Sequence, residues 1–254
     1  MPFMTTYYTE KGTMKQINQD ALMIKTAQTN QGTVGLFVVC DGMGGLGKGE
    51  VASTMIIEGL SEWFQETLPN LLQSYSFDEI PVHFVNKIEY LNEQLIDYGT
   101  LNQIKCGTTL TAILVREQQF FTFQVGDSRA YSIGQELNQL TKDQSVVARE
   151  LERGTITMEQ ATTHPERHVL LQCIGIEPVI EVATTSGVLT ENEMILLCTD
   201  GFYHRLTDQE MLQDLQPSLL KTKEAMQNTL ASIVNTIQNR QETDDITSIL
   251  IKLK

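Results

Sequence analysis

The sequence predicts an α+β fold in which antiparallel sheets pack together and helices cover their outer faces. Strand-like segments come in runs, helical segments form separate blocks, and there is little strict βαβ alternation. The composition is that of an ordinary globular protein, with 41% hydrophobic and 20% charged residues. The 254 residues suit one large domain or two small ones and are enough to bury a sizeable core.

The predicted strands are short apolar or alternating segments bounded by turn residues. They span residues 5–10, 21–26, 34–40, 108–116, 120–125, 129–133, 136–140, 194–199 and 246–253. The segment 34–40 is apolar on both faces and predicts a buried strand. The four segments between 108 and 140 are separated by tight turns, so we expect them to form a meander.

Three helices are predicted from apolar residues at spacings of three and four. Their stripes are Ala52, Ile56, Leu60 and Phe64 in a helix over 51–67; Phe84, Ile88, Leu91 and Leu95 in the second; and Met226, Leu230, Ile233 and Ile237 in the last. We interpret these stripes as core faces and not as functional surfaces.

Charge and cysteine content exclude several classes of function. The formal charge of −14 repels nucleic acid and anionic membranes, so neither is expected as a partner. The run 34–40 is too short to span a bilayer, and the N-terminus does not have the pattern of a signal peptide. The four cysteines form no CxxC pair, and three have apolar neighbours. They indicate reduced, buried thiols and a cytoplasmic protein.

A glycine-rich turn follows the buried strand and allows two hypotheses. Residues 42–48, G-M-G-G-L-G-K, match a P-loop, but Gly49 stands where that motif needs Ser or Thr for magnesium. Asp41 would also repel a triphosphate. The alternative makes Asp41 the centre, because glycines let the chain turn so that a carboxylate and a backbone carbonyl face one hard cation.

Other acids have the same placement as Asp41, at the margin of an apolar strand. They are Asp20, Asp127, Asp200, Asp244 and Asp245. A single aspartate at such a place usually belongs to a turn. Because several share it, we expect a rim of the sheets to gather them around hard cations such as Mg²⁺ or Mn²⁺.

Short motifs then carry a resemblance to a known family. In order they are K-Q-I-N-Q-D at 15–20, D-G-M-G-G at 41–45, G-T-T at 107–109, V-G-D-S-R at 125–129, L-T-K-D-Q-S at 140–145, C-T-D-G-F at 198–202 and D-D-I-T at 244–247. The chain resembles the PP2C-type, metal-dependent protein phosphatases over residues 5–253. Met43 and the E-V-A-S segment at 50–53 are similar to the bacterial branch.

The resemblance implies a single phosphatase domain over residues 1–254. Its fold would be a four-layer αββα sandwich, with two antiparallel sheets flanked by helices and a flap at about 145–174 beside the site. It also implies two bound ions, Mn²⁺ or Mg²⁺, and a third in bacterial members. The metal-binding residues would be Asp41, Gly42, Asp200, Asp244, Asp20 and Asp127.

Each of these residues receives a role from the resemblance. Asp41 would bridge two ions, and the Gly42 carbonyl would bind one of them. Asp200 and Asp244 would complete the shell of the other ion. Asp20 would hold ion-bound water or help to bind the second ion. Asp127 resembles the residue that holds the third ion together with the counterpart of Asp200.

The implied activity is hydrolysis of phosphoserine and phosphothreonine by direct attack of a hydroxide that bridges the two metals. Asp41, Asp200 and Lys15 are the candidate catalytic residues, and Lys15 also binds substrate phosphate. Lys15 stands where the family usually has arginine, and lysine lacks the bidentate fork, so weaker phosphate capture is expected. Gln19 replaces the usual acid of the same motif.

These departures keep a second hypothesis open: an inactive or catalytically weak phosphopeptide-binding regulator with this fold. The P-loop nucleotide binder remains a third. His164 and His168 could be taken for a metal-binding pair, but Pro165 breaks the helix that their spacing needs, so we treat them as surface residues. Expected partners are phosphoproteins and a cognate serine/threonine kinase, and the chain is expected to be a monomer.

Overall fold

The computed structural model describes residues 3–44 and 48–253. Its strands are β1 Phe3–Glu10, β2 Asp20–Thr29, β3 Gly32–Met43, β4 Gly107–Thr108, β5 Leu110–Arg116, β6 Gln119–Val125, β7 Arg129–Ile133, β8 Leu137–Gln139, β9 Ala183–Val188, β10 Met194–Cys198 and β11 Ile246–Leu253. Its helices are α1 Gly49–Glu62, α2 Leu68–Ser74, α3 Ile80–Asn102, α4 Val146–Glu152, α5 Met158–Thr162, α6 Asp200–Tyr203, α7 Asp208–Asp214 and α8 Lys223–Asn239. A π turn, Trp63–Thr67, joins α1 to α2.

The strands form two antiparallel sheets. The first sheet has the order β1-β11-β10-β7-β8, and the second has the order β2-β3-β5-β6-β9 with the short β4 paired to β3. No helix in the described part of the chain combines the length and apolarity that a bilayer span requires.

The two sheets pack face to face, and this explains the continuous apolar run in β3. Phe37 and Val39 point into the layer between the sheets, where they meet Ile195 and Ile249 of the first sheet. Their neighbours along β3 point the other way, toward the helices. Because successive side chains of a strand face opposite sides, a strand buried on both faces is apolar at every position.

Helices cover the outer face of each sheet. The stripes of α1 and α3 pack on the second sheet, where Ile56 and Phe84 are fully buried. α8 packs on the first sheet through Leu230 and Val234. The predicted four-layer αββα sandwich is confirmed, since helices, two sheets and helices follow one another through the molecule.

The expected four-strand meander is wrong in one respect. β5 and β6 lie in the second sheet, whereas β7 and β8 lie in the first. The chain crosses between sheets at Gly126, whose φ of 103° suits glycine, and at the two residues after it. Asp127, the residue after Gly126, therefore lies where the chain passes from the second sheet to the first.

Candidate metal centre and active-site cleft

Two candidate metal ligands come from neighbouring strands of the second sheet. Asp20 begins β2 and lies opposite Asp41 in the antiparallel register of β3. Opposed residues on paired strands carry their side chains on the same face, so the two carboxylates are neighbours. The backbone of Asp41 is held by Thr109, whose hydroxyl accepts from the Asp41 N–H at 2.9 Å.

The end of β3, directly after Asp41, accepts only glycine at position 42. A Cβ on Gly42 would lie 2.2 Å from the Gly49 carbonyl oxygen and 2.4 Å from that of Gln19. The Gly42 N–H donates to the Gln19 carbonyl at 3.1 Å, which ties the end of β3 to the start of β2. Gly45 and Leu46, part of the same glycine-rich motif, lie outside the described residues.

The remaining candidate ligands come from the other sheet and from the crossover. Asp200 is the first residue of α6, directly after β10, and Asp244 precedes β11. Thr199 links these parts, because its hydroxyl donates to Asp20 Oδ2 at 2.9 Å across the join of the two sheets. Asp127 lies in the crossover between β6 and β7 and is 8% exposed.

The adjacent acids Asp244 and Asp245 have different environments. Both carboxylate oxygens of Asp245 accept backbone N–H groups, from Gly12 at 2.8 Å and from Gln19 at 2.9 Å, and the residue is 2% exposed. The Asp244 side chain is 31% exposed and lines the cleft. Of the two, Asp244 is therefore the acid whose position is open to an ion.

Four carboxyl groups at this place have raised pKa values. Burial raises the pKa of Asp20 to about 8, and the charges of Asp245 and Asp200 add to the effect. Burial, followed by repulsion from neighbouring carboxylates, also raises the pKa values of Asp41 and Asp127. Burial is the main reason that the pKa of Asp200 is raised. In its ionised form, such a cluster is unfavourable unless a positive charge is bound beside it.

The residues present fit a hard divalent cation. Asp20 Oδ1 and Asp200 Oδ1 are buried and have no hydrogen-bond partner in the part of the chain that the structure describes. Within the same residues, no three His, Cys, Asp or Glu side chains lie close enough together to hold an ion by themselves. Mg²⁺ keeps several waters and is held through one or two carboxylates, so an open carboxylate cluster of this type suits it.

Lys15 stands at the edge of the carboxylates. Its Nζ is 2.7 Å from Asp244 Oδ1 and 3.9 Å from Asp245 Oδ2. Burial lowers the pKa of Lys15, but the hydrogen bond and charge of Asp244 outweigh it, so the net pKa is raised and the ammonium remains charged. The side chain is 33% exposed and can therefore reach a group in the cleft.

A cleft of about 990 Å³ contains the site. Lys15, Asp41, Gly42, Asp127, Asp200 and Asp244 line one end of it. Residues of α4 and α5, within the expected flap at 145–174, line the other end, and the segment is joined to the core by the bridges Ser145–Leu170 and Thr108–Ile174. The structure thus brings the predicted residues to one place, with Asp20 directly behind the lining.

Two features of the cleft were not predicted. His204 Nδ1 lies 3.6 Å from Asp200 Oδ2, and its ring is 6.0 Å from that of His168. His168 is exposed, as expected for a surface residue, but it also lines the cleft. The sequence signal for His204 was its spacing of four from Asp200 in a helix, which places both side chains on one face.

The second unpredicted feature is a support behind Asp127. The Tyr203 hydroxyl donates to the Asp127 carbonyl at 3.0 Å, and Arg129 stacks over the Tyr203 ring at 3.7 Å. Arg129 also forms a two-pronged ion pair with Asp143, with Nη2 2.6 Å from Oδ2. These contacts hold the crossover against α6, which carries Asp200.

Comparison with known proteins gives consistent results. The Serine/threonine phosphatase stp of Listeria welshimeri is 30% identical over 249 residues, which are 97% of this chain and 94% of that protein. The crystal structure of serine/threonine phosphatase Stp1 from Staphylococcus aureus has a TM-score of 0.87 at 30% identity, covering 98% of this chain and 94% of that one. The catalytic domain of the serine threonine protein phosphatase PstP in complex with 2 manganese ions shares the fold at 22% identity, with a TM-score of 0.80 and coverage of 99% and 98%.

The two-sheet sandwich, together with the similarity to these phosphatases over nearly the whole chain, identifies the class as protein phosphatase. The sequence model of the family described as protein phosphatase 2C matches residues 10–247. The chain belongs to the protein phosphatase 2C family. The P-loop hypothesis is therefore wrong.

Proposed function

We propose that this serine/threonine protein phosphatase hydrolyses phosphoserine and phosphothreonine with the help of two divalent cations, Mg²⁺ or Mn²⁺. The observation that carries the proposal is the convergence of Asp41, Asp200 and Asp244 on one cleft. The buried carboxylate oxygens of Asp20 and Asp200, unpartnered within the described residues, support it.

The residues that would hold the ions come from both sheets. Asp41 would be shared by the two ions, and the Gly42 carbonyl would bind one of them. Asp200 and Asp244 would complete the ligand shell of the other ion. Asp20 would fix ion-bound water from behind. The crossover residue Asp127, together with Asp200, offers a place for a third ion.

When bound, the ions would supply positive charge to the phosphoryl oxygens and lower the pKa of a coordinated water. Lys15 would add a point charge at the same end of the cleft, since its ammonium already lies beside Asp244. A lysine binds phosphate without the fork of an arginine. We therefore expect orientation of the phosphoryl group to depend more on the carboxylate-held ions than on Lys15.

The cleft also fits a protein substrate and not only a small phosphate ester. Val147, Ala148 and Leu151 lie on one side of α4 and line the cleft, and Met158 of α5 is 75% exposed beside them. This apolar wall belongs to none of the three core clusters. We propose that it contacts apolar residues next to the phosphorylated side chain.

The physiological setting follows from the same proposal. The substrates are phosphoproteins, and a cognate serine/threonine kinase is expected to produce them.

Burial raises the pKa of the Cys173 thiol to about 11, and no pair of the chain's cysteines is bonded in the structure. Such unpaired thiols suit a reducing cytoplasm, and a monomer is sufficient because all site residues come from one chain.

Hydrolysis of an aryl phosphate and of phosphoserine and phosphothreonine peptides tests the proposal. Each substrate is incubated with Mn²⁺ or with a chelator, using wild type and Asp200→Asn. We expect turnover by wild type with Mn²⁺, none with chelator, and a loss of at least about 100-fold in Asp200→Asn, since the metal site supplies much of the barrier reduction.

Asp214→Asn is the matched control, because it makes the same change at an exposed acid of α7. Its rate should equal that of wild type. Equal hydrolysis in all samples would refute metal-dependent catalysis, and phosphopeptide binding without any turnover would indicate a regulator instead.

A further inference from the structure

We propose that Asp245 is a positioning residue that fixes Lys15 at the phosphate end of the cleft. It does so by tying the loop of residues 11–19, which joins β1 to β2, to the start of β11. The inference rests on the proposed function, in which Lys15 contacts phosphate, and adds a residue to which no role had been assigned.

The tie consists of two hydrogen bonds to one buried side chain. Asp245 Oδ1 accepts the Gly12 N–H at 2.8 Å, and Asp245 Oδ2 accepts the Gln19 N–H at 2.9 Å. Gly12 and Gln19 are the two ends of the segment that carries Lys15. With 2% of Asp245 exposed, water cannot readily replace either bond.

The loop is also packed against the turn before β11. A Cβ on Gly12 would lie 2.3 Å from the Thr243 carbonyl oxygen, so backbone meets backbone there. The Lys15 N–H donates to the Gly12 carbonyl at 3.1 Å, and Lys11 Nζ donates to the Lys15 carbonyl at 2.7 Å. Lys15 therefore occupies a turn whose first residue is held by Asp245.

The same tie reaches the second sheet. The Gln19 carbonyl accepts the Gly42 N–H at 3.1 Å and the Ser53 hydroxyl at 2.7 Å. Because Asp245 holds the N–H of Gln19, it connects the start of β11 to the end of β3, next to Asp41. A single carboxylate therefore fixes the loop that carries Lys15 relative to the proposed metal ligands on both sheets.

The chemistry requires an acid at this position. Both partners are N–H donors, and a carboxylate can accept from both, whereas an asparagine side chain has one acceptor oxygen and an NH₂ group that would face the other N–H. An asparagine at position 245 should therefore weaken the attachment of the loop.

A double-mutant cycle of Asp245→Asn and Lys15→Met tests the inference at saturating Mn²⁺. The readouts are inhibition by orthophosphate and the KM and kcat for an aryl phosphate. In Asp245→Asn we expect the inhibition constant of orthophosphate and the KM to rise about tenfold, as for loss of a charged hydrogen bond, with kcat within about threefold of wild type. In the Lys15→Met background the same change should add less than about twofold.

Glu242→Gln is the matched control in the same turn. Glu242 Oε1 accepts the N–H groups of Thr243 and Asp244, at 2.8 and 3.1 Å. Glutamine keeps that acceptor oxygen and loses only the ion pair of Glu242 Oε2 with Arg205 Nε, at 3.2 Å. Glu242 does not bond to the loop of residues 11–19, so phosphate inhibition should be unchanged. The control separates loss of a negative charge near the cleft from loss of the tie.

Amide hydrogen exchange of Gly12 and Gln19 provides a readout that needs no turnover. Exchange at both N–H groups should be slow in wild type and faster by about tenfold or more in Asp245→Asn. Unchanged exchange and unchanged phosphate inhibition would overturn the inference, and an equal loss with and without Lys15 would show that Asp245 has only a structural role. If wild type shows no turnover, the proposed function fails, while exchange still decides whether the tie exists.

Discussion

At the scale of single residues, the proposed metal site gathers carboxyl groups that destabilise the fold when they are ionised. Asp20, Asp41, Asp127 and Asp200 lie together, and the pKa of each is raised. Neighbouring ionised carboxylates repel one another, and burial removes the water that would screen them. This arrangement costs folding free energy, which supports the proposal that it serves to bind cations.

Gly42→Ala is expected to disrupt the site through backbone contacts alone. The new Cβ would lie 2.2 Å from the Gly49 carbonyl oxygen, and neither backbone segment can move without displacing Asp41 or α1. We expect a loss of stability of about 3 kcal/mol and of nearly all phosphatase activity. Urea unfolding and aryl phosphate hydrolysis measure the two effects.

Gly134→Ala makes the same change at a permissive position. There the nearest atom to a Cβ is the flexible side chain of Glu193, at 3.2 Å. Stability should change by less than about 1 kcal/mol. If both variants were equally stable and active, the close backbone contact at Gly42 would not be needed for stability or activity.

The sequence predicted the aspartates but not all of their supports. Asp41, Asp200 and Asp244 could be found because each sits at the end of an apolar strand within a recognisable motif. The bond between Gly12 and Asp245 joins residues 233 positions apart, and no local pattern reports it. His204 was missed because α6, the helix that brings it onto one face with Asp200, is too short to be recognised from the sequence.

At the scale of elements, long strands and helices were predictable and short ones were not. The stripes of α1, α3 and α8 extend over several turns, and apolar strands such as β3 stand out against their flanks. The edge strand β9, A-T-T-S-G-V, is largely exposed and carries no apolar alternation. α4 to α7 have 4 to 7 residues each, which is too short for a helical period to be recognised.

One of these short helices provides the next prediction. Leu151→Gln removes apolar surface from the α4 side of the cleft without adding charge. We expect kcat/KM for phosphopeptides with apolar flanking residues to fall about tenfold, the effect of losing one apolar side-chain contact. Hydrolysis of a small aryl phosphate, which does not reach α4, should be unchanged.

Leu101→Gln is the control for this variant. Leu101 lies near the end of α3, is 83% exposed, and does not line the cleft. Both substrates should be hydrolysed at wild-type rates. An equal effect of Leu151→Gln on the peptide and on the aryl phosphate would exclude a peptide contact at α4.

At the scale of the whole molecule, the site lies where the two sheets meet. Asp20 and Asp41 come from the second sheet, Asp200 and Asp244 adjoin the first, and the hydroxyl of Thr199 connects them. Ions at this join would bind groups of both sheets at once. Metal binding should therefore stabilise the entire fold, because an ion that binds only the native state shifts the unfolding equilibrium.

The stability of the metal-free fold should depend on pH, and the sign of this dependence follows from the pKa of Asp20. The pKa of Asp20 is about 8 in the folded chain and about 3.9 in an unfolded one. Between these values the folded state binds the additional proton, so the free energy of unfolding falls as pH rises. Without metal, the melting temperature should decrease from pH 6 to pH 8. Because Mn²⁺ competes with protons, its stabilising effect should increase over the same interval, by about 5 °C in melting temperature.

Thermal unfolding followed by circular dichroism, at pH 6 and pH 8 with Mn²⁺ or chelator, measures this coupling. Asp20→Asn removes one titrating group of the cluster, whose pKa burial raises to about 8. In chelator at pH 8 this variant should melt above wild type, and its melting temperature should vary less with pH. With Mn²⁺ the difference in melting temperature between the variant and wild type should become smaller or change sign, because the amide is a weaker partner for ion-bound water. A wild-type melting temperature that rises from pH 6 to pH 8 in chelator would show that burial and mutual repulsion of the carboxylates do not govern the stability of the metal-free fold.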